Sequence, residues 1–429
     1  MEPIFETLPF KPADILIPKD CDLSLWAVVA CDQYTSQPEY WQRVEERVGR
    51  APSALRLILP ESCLEGPDVE RDIMEINHTM SRYLKQGQFA EYPGSLVYVE
   101  RKLDSGAVRR GLIGMVDLEQ YDYEPGSVAP IRATEGTVLT RIPPRVAVRK
   151  NASLELPHVM LLTDDPQGTV IAPLAGQTEQ MQPLYDTELM EGGGHVKGWQ
   201  LTGEQKKQVG IALHALAEQD AFDARYQTTG QGGMLFAVGD GNHSLATAKE
   251  CYERQKRITP PEQWANLPAR YALCELVNLH DDSLEFEPIH RVVFGVDAEA
   301  LLAELAKKCV APEGMQGQVS HALDYITAAG RSQISLSAPR GKLLVDVLQR
   351  FLDQYLATRS GAWIDYIHGA EVAAELAGRP DAMAFLLPSM GKDELFPGVI
   401  AGGVLPRKTF SMGEAQDKRF YLEARKIRV

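Results

Sequence analysis

The sequence contains no Cys-x-x-Cys pair, and its six cysteines (Cys21, Cys31, Cys63, Cys251, Cys274 and Cys309) lie far apart. That spacing fits neither a zinc ribbon nor a disulfide framework and predicts reduced thiols. No Gly-x-x-x-x-Gly-Lys-Ser/Thr occurs, which excludes a P-loop. Long apolar runs are also missing. Stretches such as Trp26 to Cys31 fall far short of the roughly 20 residues that a bilayer demands. No signal-like segment opens the sequence, so a cytoplasmic location without a membrane partner is expected. Lys/Arg runs never exceed two residues, and 44 Lys+Arg against 59 Asp+Glu leave a formal charge of −15. Duplex binding needs several cations grouped on one face. The composition therefore predicts no nucleic-acid partner, although a local basic pocket remains compatible with it. Nothing in the pattern fixes an oligomeric state.

What is present is an ordinary globular composition, 44% hydrophobic and 24% charged, over 429 residues. That length exceeds what one core normally organises and predicts two or three domains. Helical spacing runs over Pro38 to Arg50, Asp68 to Lys85, Gly203 to Gln219 (with Thr202 as N-cap) and Asp297 to Lys308. Strands are expected at Leu96 to Glu100, Val108 to Leu118, His158 to Thr163, Tyr271 to Leu279 and, last, Ala382 to Pro388. The Gly/Gln-rich stretch Pro312 to Gln318 reads as a loop or linker. The fold class is mixed α/β. Its expected units are 1–150, 151–295 and 296–429, the second carrying the loop described next.

Met234 to Val238 is an apolar run of strand character that ends in Gly239-Asp240-Gly241, and a helix-compatible segment begins within a few residues. Two glycines permit a sharp turn and close approach of backbone to ligand. Asn242, His243 and Ser244 then occupy the first helical turn, where free N–H groups attract anions, phosphate above all. Asp240 adds a metal ligand or proton acceptor and His243 a titratable donor. The same residues also suit a plain strand-to-helix turn capped by Asp. Gly239-x-Gly241-x-x-Ser244 is one residue short of a dinucleotide fingerprint and lacks its downstream acid.

A second cluster is Thr134-Glu135-Gly136-Thr137, followed by Arg141, Arg145 and Arg149. Pro143-Pro144 suit the first turn of a helix, which would set Arg145 and Arg149 on one face. Arginine grips phosphate bidentately, so these residues beside a lone Glu point to an anion pocket with a general base. A solvated basic helix face is the plainer alternative. Lys408, in a turn, is a further candidate phosphate contact. His290-Arg291 after a Pro-ended turn, His368 near a helix start, and His158 opening a strand complete the candidates.

Several segments in order resemble the bacterial and archaeal family known as domain of unknown function 1015. They are Arg110 to Gly114, Ile131 to Thr137, Pro144-Arg145, Gly239 to His243, Phe286 to Arg291 and Pro406 to Thr409. The family loop commonly reads Asp-Gly-His-His-Arg. Asp240, Gly241 and His243 match it, whereas Asn242 and Ser244 depart, and the charge missing at Ser244 falls to Arg141 or Arg145. The loop is also similar to that of ParB-like and sulfiredoxin-like proteins, which include free-serine kinases. The resemblance implies a ParB/sulfiredoxin-like phosphate-binding core with additional α/β subdomains. It implies phosphoryl transfer to a small hydroxy amino acid, serine first, from ATP, ADP or pyrophosphate with Mg²⁺.

In that reading Glu135, Asp240 and His243 are catalytic, and Asp240 holds the metal. Arg141, Arg145, Gly241, Asn242, Ser244 and Lys408 bind phosphate. Thr134, His290, Arg291 and His368 contact the substrate. A phosphatase acting on phosphoserine, or a non-catalytic nucleotide sensor, would use the same pocket.

Overall fold

The computed structural model describes residues 2–35, 37–64, 66–137, 141–230, 232–310, 317–339 and 342–428. Among the described residues the chain is mixed α/β and built around two large sheets, beside two two-stranded ones. The larger has ten strands in the order Gln182–Glu188, His195–Gln200, Val97–Lys102, Val108–Asp117, Tyr271–Asn278, Met160–Thr163, Phe236–Asp240, Ile131–Ala133 and Tyr121–Asp122. The tenth, Phe10–Lys11, pairs with Val108–Asp117. Strands from both sides of residue 150 thus bond within this one sheet. The smaller sheet has six strands, with Phe286–Phe294 between Trp363–His368 and Ala382–Leu386 and also pairing with Phe410–Met412.

Apolar periodicity accounts for most of the elements. Tyr271–Asn278 is buried on both faces, as expected of a central strand between two neighbours. Thr202 caps Gly203–Ala217 through a complete capping box with Gln205. Asp297 accepts from the Ala300 N–H and caps Ala298–Cys309. One core packs Phe10, Phe236, Leu161 and Tyr252 around the large sheet, and another packs Val293, Leu348 and Phe385 against the small one. Among the described residues no helix is long and apolar enough to cross a membrane.

The structure differs from the sequence reading at several places. Phe286–Phe294 runs through Pro288 instead of starting after a Pro-ended turn, because Pro288 pairs with Phe410 where its missing N–H does little harm. Ala382–Leu386 is not the last strand, since Phe410–Met412 and Arg425–Lys426 follow it. His158 precedes its strand, which begins at Met160. The loop expected at Pro312 to Gln318 lies outside the described residues, apart from its last two positions.

Candidate active site

The pairing around Phe236–Asp240 decides what meets what. This strand runs parallel to Ile131–Ala133, with Val238 opposite Ala133, so both chains leave the sheet at the same end. One continues into Thr134-Glu135 and the other into Asp240-Gly241. On its other side the strand runs antiparallel to Met160–Thr163, which therefore starts at that end, just after His158. A bulge between Val238 and Asp240 breaks this register and re-aims the aspartate.

Gly241 makes the turn possible. Its φ is +83°, and a Cβ there would come within 2.9 Å of the Val159 side chain. Gly241→Ala is therefore expected to destabilise the fold by about 1–3 kcal/mol. Denaturant unfolding checks this; a midpoint equal to wild type would show that the turn tolerates a side chain. The helix Asn242–Lys256 follows at once, and no side chain caps its start. A helix start of this kind favours an anion through its dipole.

The Asn242 side chain clamps the two segments. Its Oδ1 accepts from the Thr134 N–H at 3.2 Å, and its Nδ2 donates to Thr134 Oγ1 at 3.3 Å. Thr134 Oγ1 in turn donates to the Val238 carbonyl at 2.6 Å. These side chains, expected to meet phosphate and substrate, therefore hold each other, and only the Asn242 backbone is left for the phosphate role.

The helix Ile142–Arg149 packs on Asn242–Lys256. Pro143 and Pro144 lie in its first turn as expected, and Arg141 and Arg145 are brought beside the loop. Both line the same cavity as residues 239–245. Arg145 is preset by an ion pair to Glu61 at 2.8 Å and by donation to the Arg141 carbonyl. Arg149, on the same face, instead pairs with buried Glu155. Burial, then the charges of Arg145 and Arg141, lower the pKa of His243, so its ring is neutral near neutral pH.

Glu135 lines the same cavity as the loop. Burial raises its pKa; Lys408 opposes this through its charge and its backbone N–H, which donates to Oε1 at 3.2 Å. Lys408 sits in a turn with φ +58°. That turn is held by Arg291, which is fully buried and donates to the carbonyls of Ile289, Arg407 and Lys408 while stacking on Tyr366. Arg291 is thus a positioning residue, not the expected substrate contact. His290 does not line the cavity either: its Nδ1 accepts from the Leu387 N–H between two strands. His368 is exposed and lines the wall contributed by the small sheet.

The cavity enclosed by these segments measures about 920 Å³. It is also lined by His158, a candidate from the sequence, and by Asp32 and Lys418, which the sequence does not single out. His158 Nε2 lies 2.9 Å from Ser244 Oγ. Asp32 is coupled to His158 and is held below the usual carboxylate range, the effect of burial being outweighed by His158, Gln33 and Lys418. Lys418 Nζ stands 3.8 Å from Asp240 Oδ2. Asp32 and Lys418 come to the same cavity because Ala30 donates to the Lys418 carbonyl and Phe420 to that of Val28. No local pattern marks either residue; only the end of the apolar run at Cys31 hints at Asp32.

Among the described residues no three His, Cys, Asp or Glu side chains form a metal cage. Magnesium seldom needs one, since one or two carboxylates, water and substrate phosphates complete its shell. Asp240 and Glu135 are two carboxylates that line the same cavity.

No curated protein sequence matches the chain. Among solved structures, a conserved hypothetical protein from Pyrococcus furiosus aligns at 12% identity and TM-score 0.33, covering 70% of this chain and 89% of that one. A free serine kinase in complex with AMP aligns at 10% identity and TM-score 0.35, covering 70% and 87%. SbnI with a C-terminal truncation, from Staphylococcus aureus, aligns at 9% and 0.33, covering 70% and 82%. At those scores the likeness carries no argument about chemistry. The family described as "Protein of unknown function (DUF1015)" matches residues 9–355, and the chain belongs to it.

Proposed function

We propose that this chain is a phosphotransferase acting on a small hydroxy compound, with L-serine the first acceptor to test and O-phosphoserine its product. The observation that carries the reading is a convergence in one cavity. An uncapped helix start, the cations Arg141, Arg145, Lys408 and Lys418, and a carboxylate of raised pKa all line it. Phosphoryl transfer asks for positioning and charge neutralisation more than for covalent chemistry, and these groups supply both. Serine as acceptor follows the resemblance of the Gly239 to His243 loop to those of free-serine kinases.

The roles follow from placement. First-turn N–H groups and the four cations hold the transferring phosphoryl oxygens. Glu135 accepts the acceptor hydroxyl's proton, for which a raised pKa suits it. His243, neutral, can donate to or accept from an oxygen at the same turn. Asp240 would hold Mg²⁺, which when bound supplies charge neutralisation across the donor phosphates.

The test is a phosphoserine-formation and phosphate-release assay with Mg²⁺ across serine, phosphoserine, ATP, ADP and pyrophosphate. Donor-dependent phosphoserine is expected. Phosphate release from phosphoserine without any donor would make the chain a phosphatase, and binding without turnover would make it a sensor.

A further inference from the structure

The Ser244–His158 pair has no part in a direct transfer from donor to acceptor, yet the fold builds it with care. The hydroxyl comes from the first turn of Asn242–Lys256 and the imidazole from the segment ahead of Met160–Thr163, and the two meet at 2.9 Å inside the cavity. Phe420 fixes the ring edge-on, with centroids 4.9 Å apart. Asp32, on the same cavity wall, is electrostatically coupled to the imidazole. A hydroxyl within hydrogen-bond reach of an imidazole makes a nucleophile and its base. The oxygen also sits at a helix start whose N–H groups can stabilise charge on whatever it attacks.

We infer that Ser244 is the nucleophile of a two-step transfer and takes the phosphoryl group before the acceptor does. The inference rests on the phosphotransferase reading above. In the first step Ser244 Oγ forms a bond to the terminal phosphorus of the donor and passes its proton to His158 Nε2. The bond from that phosphorus to the bridging oxygen breaks, and ADP (or phosphate, if pyrophosphate is the donor) leaves with the electron pair. In the second step the acceptor hydroxyl gives its proton to Glu135 and attacks the same phosphorus. The bond to Ser244 Oγ breaks, and that oxygen recovers its proton from His158. Burial, the largest influence on His158, keeps the ring neutral and able to receive a proton. Asp32 stabilises the imidazolium that forms.

The two steps use different bases, and this makes them separable. Glu135→Gln, incubated with ATP labelled in its γ-phosphate and separately with labelled pyrophosphate, is expected to accumulate phosphoserine at Ser244, located by peptide mass spectrometry. Ser244→Ala is expected to fold with the wild-type melting temperature and to lose about 10²-fold or more of turnover. Transfer at the wild-type rate by Ser244→Ala, or no phosphoserine in Glu135→Gln while the wild type transfers phosphate, overturns the inference. A fluorophosphonate probe separates its failure from that of the parent reading, because it needs no phosphate donor. Labelling of Ser244 that is abolished in His158→Ala supports the nucleophile. Labelling with no phosphate transfer from any donor overturns both the two-step transfer and the phosphotransferase reading. Transfer with no labelling overturns the nucleophile alone.

Discussion

Glu135→Gln is expected to slow phosphoserine formation by about 10²–10⁴-fold, the usual worth of a positioned general base, with little change in melting temperature. Glutamine keeps the shape and can still accept from the Lys408 N–H, so the turn that Arg291 holds should persist. What disappears is the ability to take a proton. The same residue sets the expected pH dependence. Burial raises its pKa above the ordinary glutamate value of about 4.3. Below that raised value Glu135 is protonated and useless as a base, and above it the carboxylate is competent. Thus kcat/KM should climb through a limb displaced upward from the ordinary carboxylate range. The lowered pKa values of His158 and His243 leave both rings neutral near pH 7. A pH profile of wild type beside Glu135→Gln checks this. If the variant keeps both the limb and most of the rate, another group accepts the proton.

The sequence made one half of the cavity legible and left the other half dark, for a physical reason. Gly239-Asp240-Gly241 announces itself because only a strand-to-helix turn with a positive φ wants glycine there, and Gly241 has that conformation. Pro143-Pro144 announce a helix start in the same way. Both are local signals. Asp32 and Lys418 reach the site through pairings between segments far apart in the chain, such as Ala30 with Lys418, and no spacing rule reports them; His158 stands out as a candidate, but its contact with Ser244 is equally long-range. The converse error has the same origin. Asn242, Thr134 and Arg291 are polar residues in chemically suggestive motifs, but burial turns each toward a partner of the fold. Polarity is visible in a sequence; whether a polar atom faces substrate or backbone is decided by tertiary contacts.

Arg149 shows how much stability such a turn inward can carry, and Glu155→Gln is expected to destabilise the chain by about 3–5 kcal/mol. The Glu155 carboxylate is buried, pairs with Arg149 and with Arg425 Nε at 2.7 Å, and accepts from the Leu273 N–H at 2.9 Å. It fastens the strand pair Leu154–Glu155 and Arg425–Lys426 beneath the cavity, next to the large sheet. Removing its charge leaves Arg425, itself buried, without its carboxylate partner. Burial alone would raise the Glu155 pKa, but the two arginines outweigh it, and the folded value lies below the unfolded one. A depressed carboxylate contributes stability that is present above the unfolded pKa of about 4.3 and is lost as pH falls through the folded value. Wild type should therefore lose stability steeply on acidification below about pH 5. Glu155→Gln should start lower and lose less over that range. Denaturant unfolding from neutral to acid pH measures both terms. Parallel curves for the two proteins would mean that this carboxylate is not a principal acid-sensitive group of the fold.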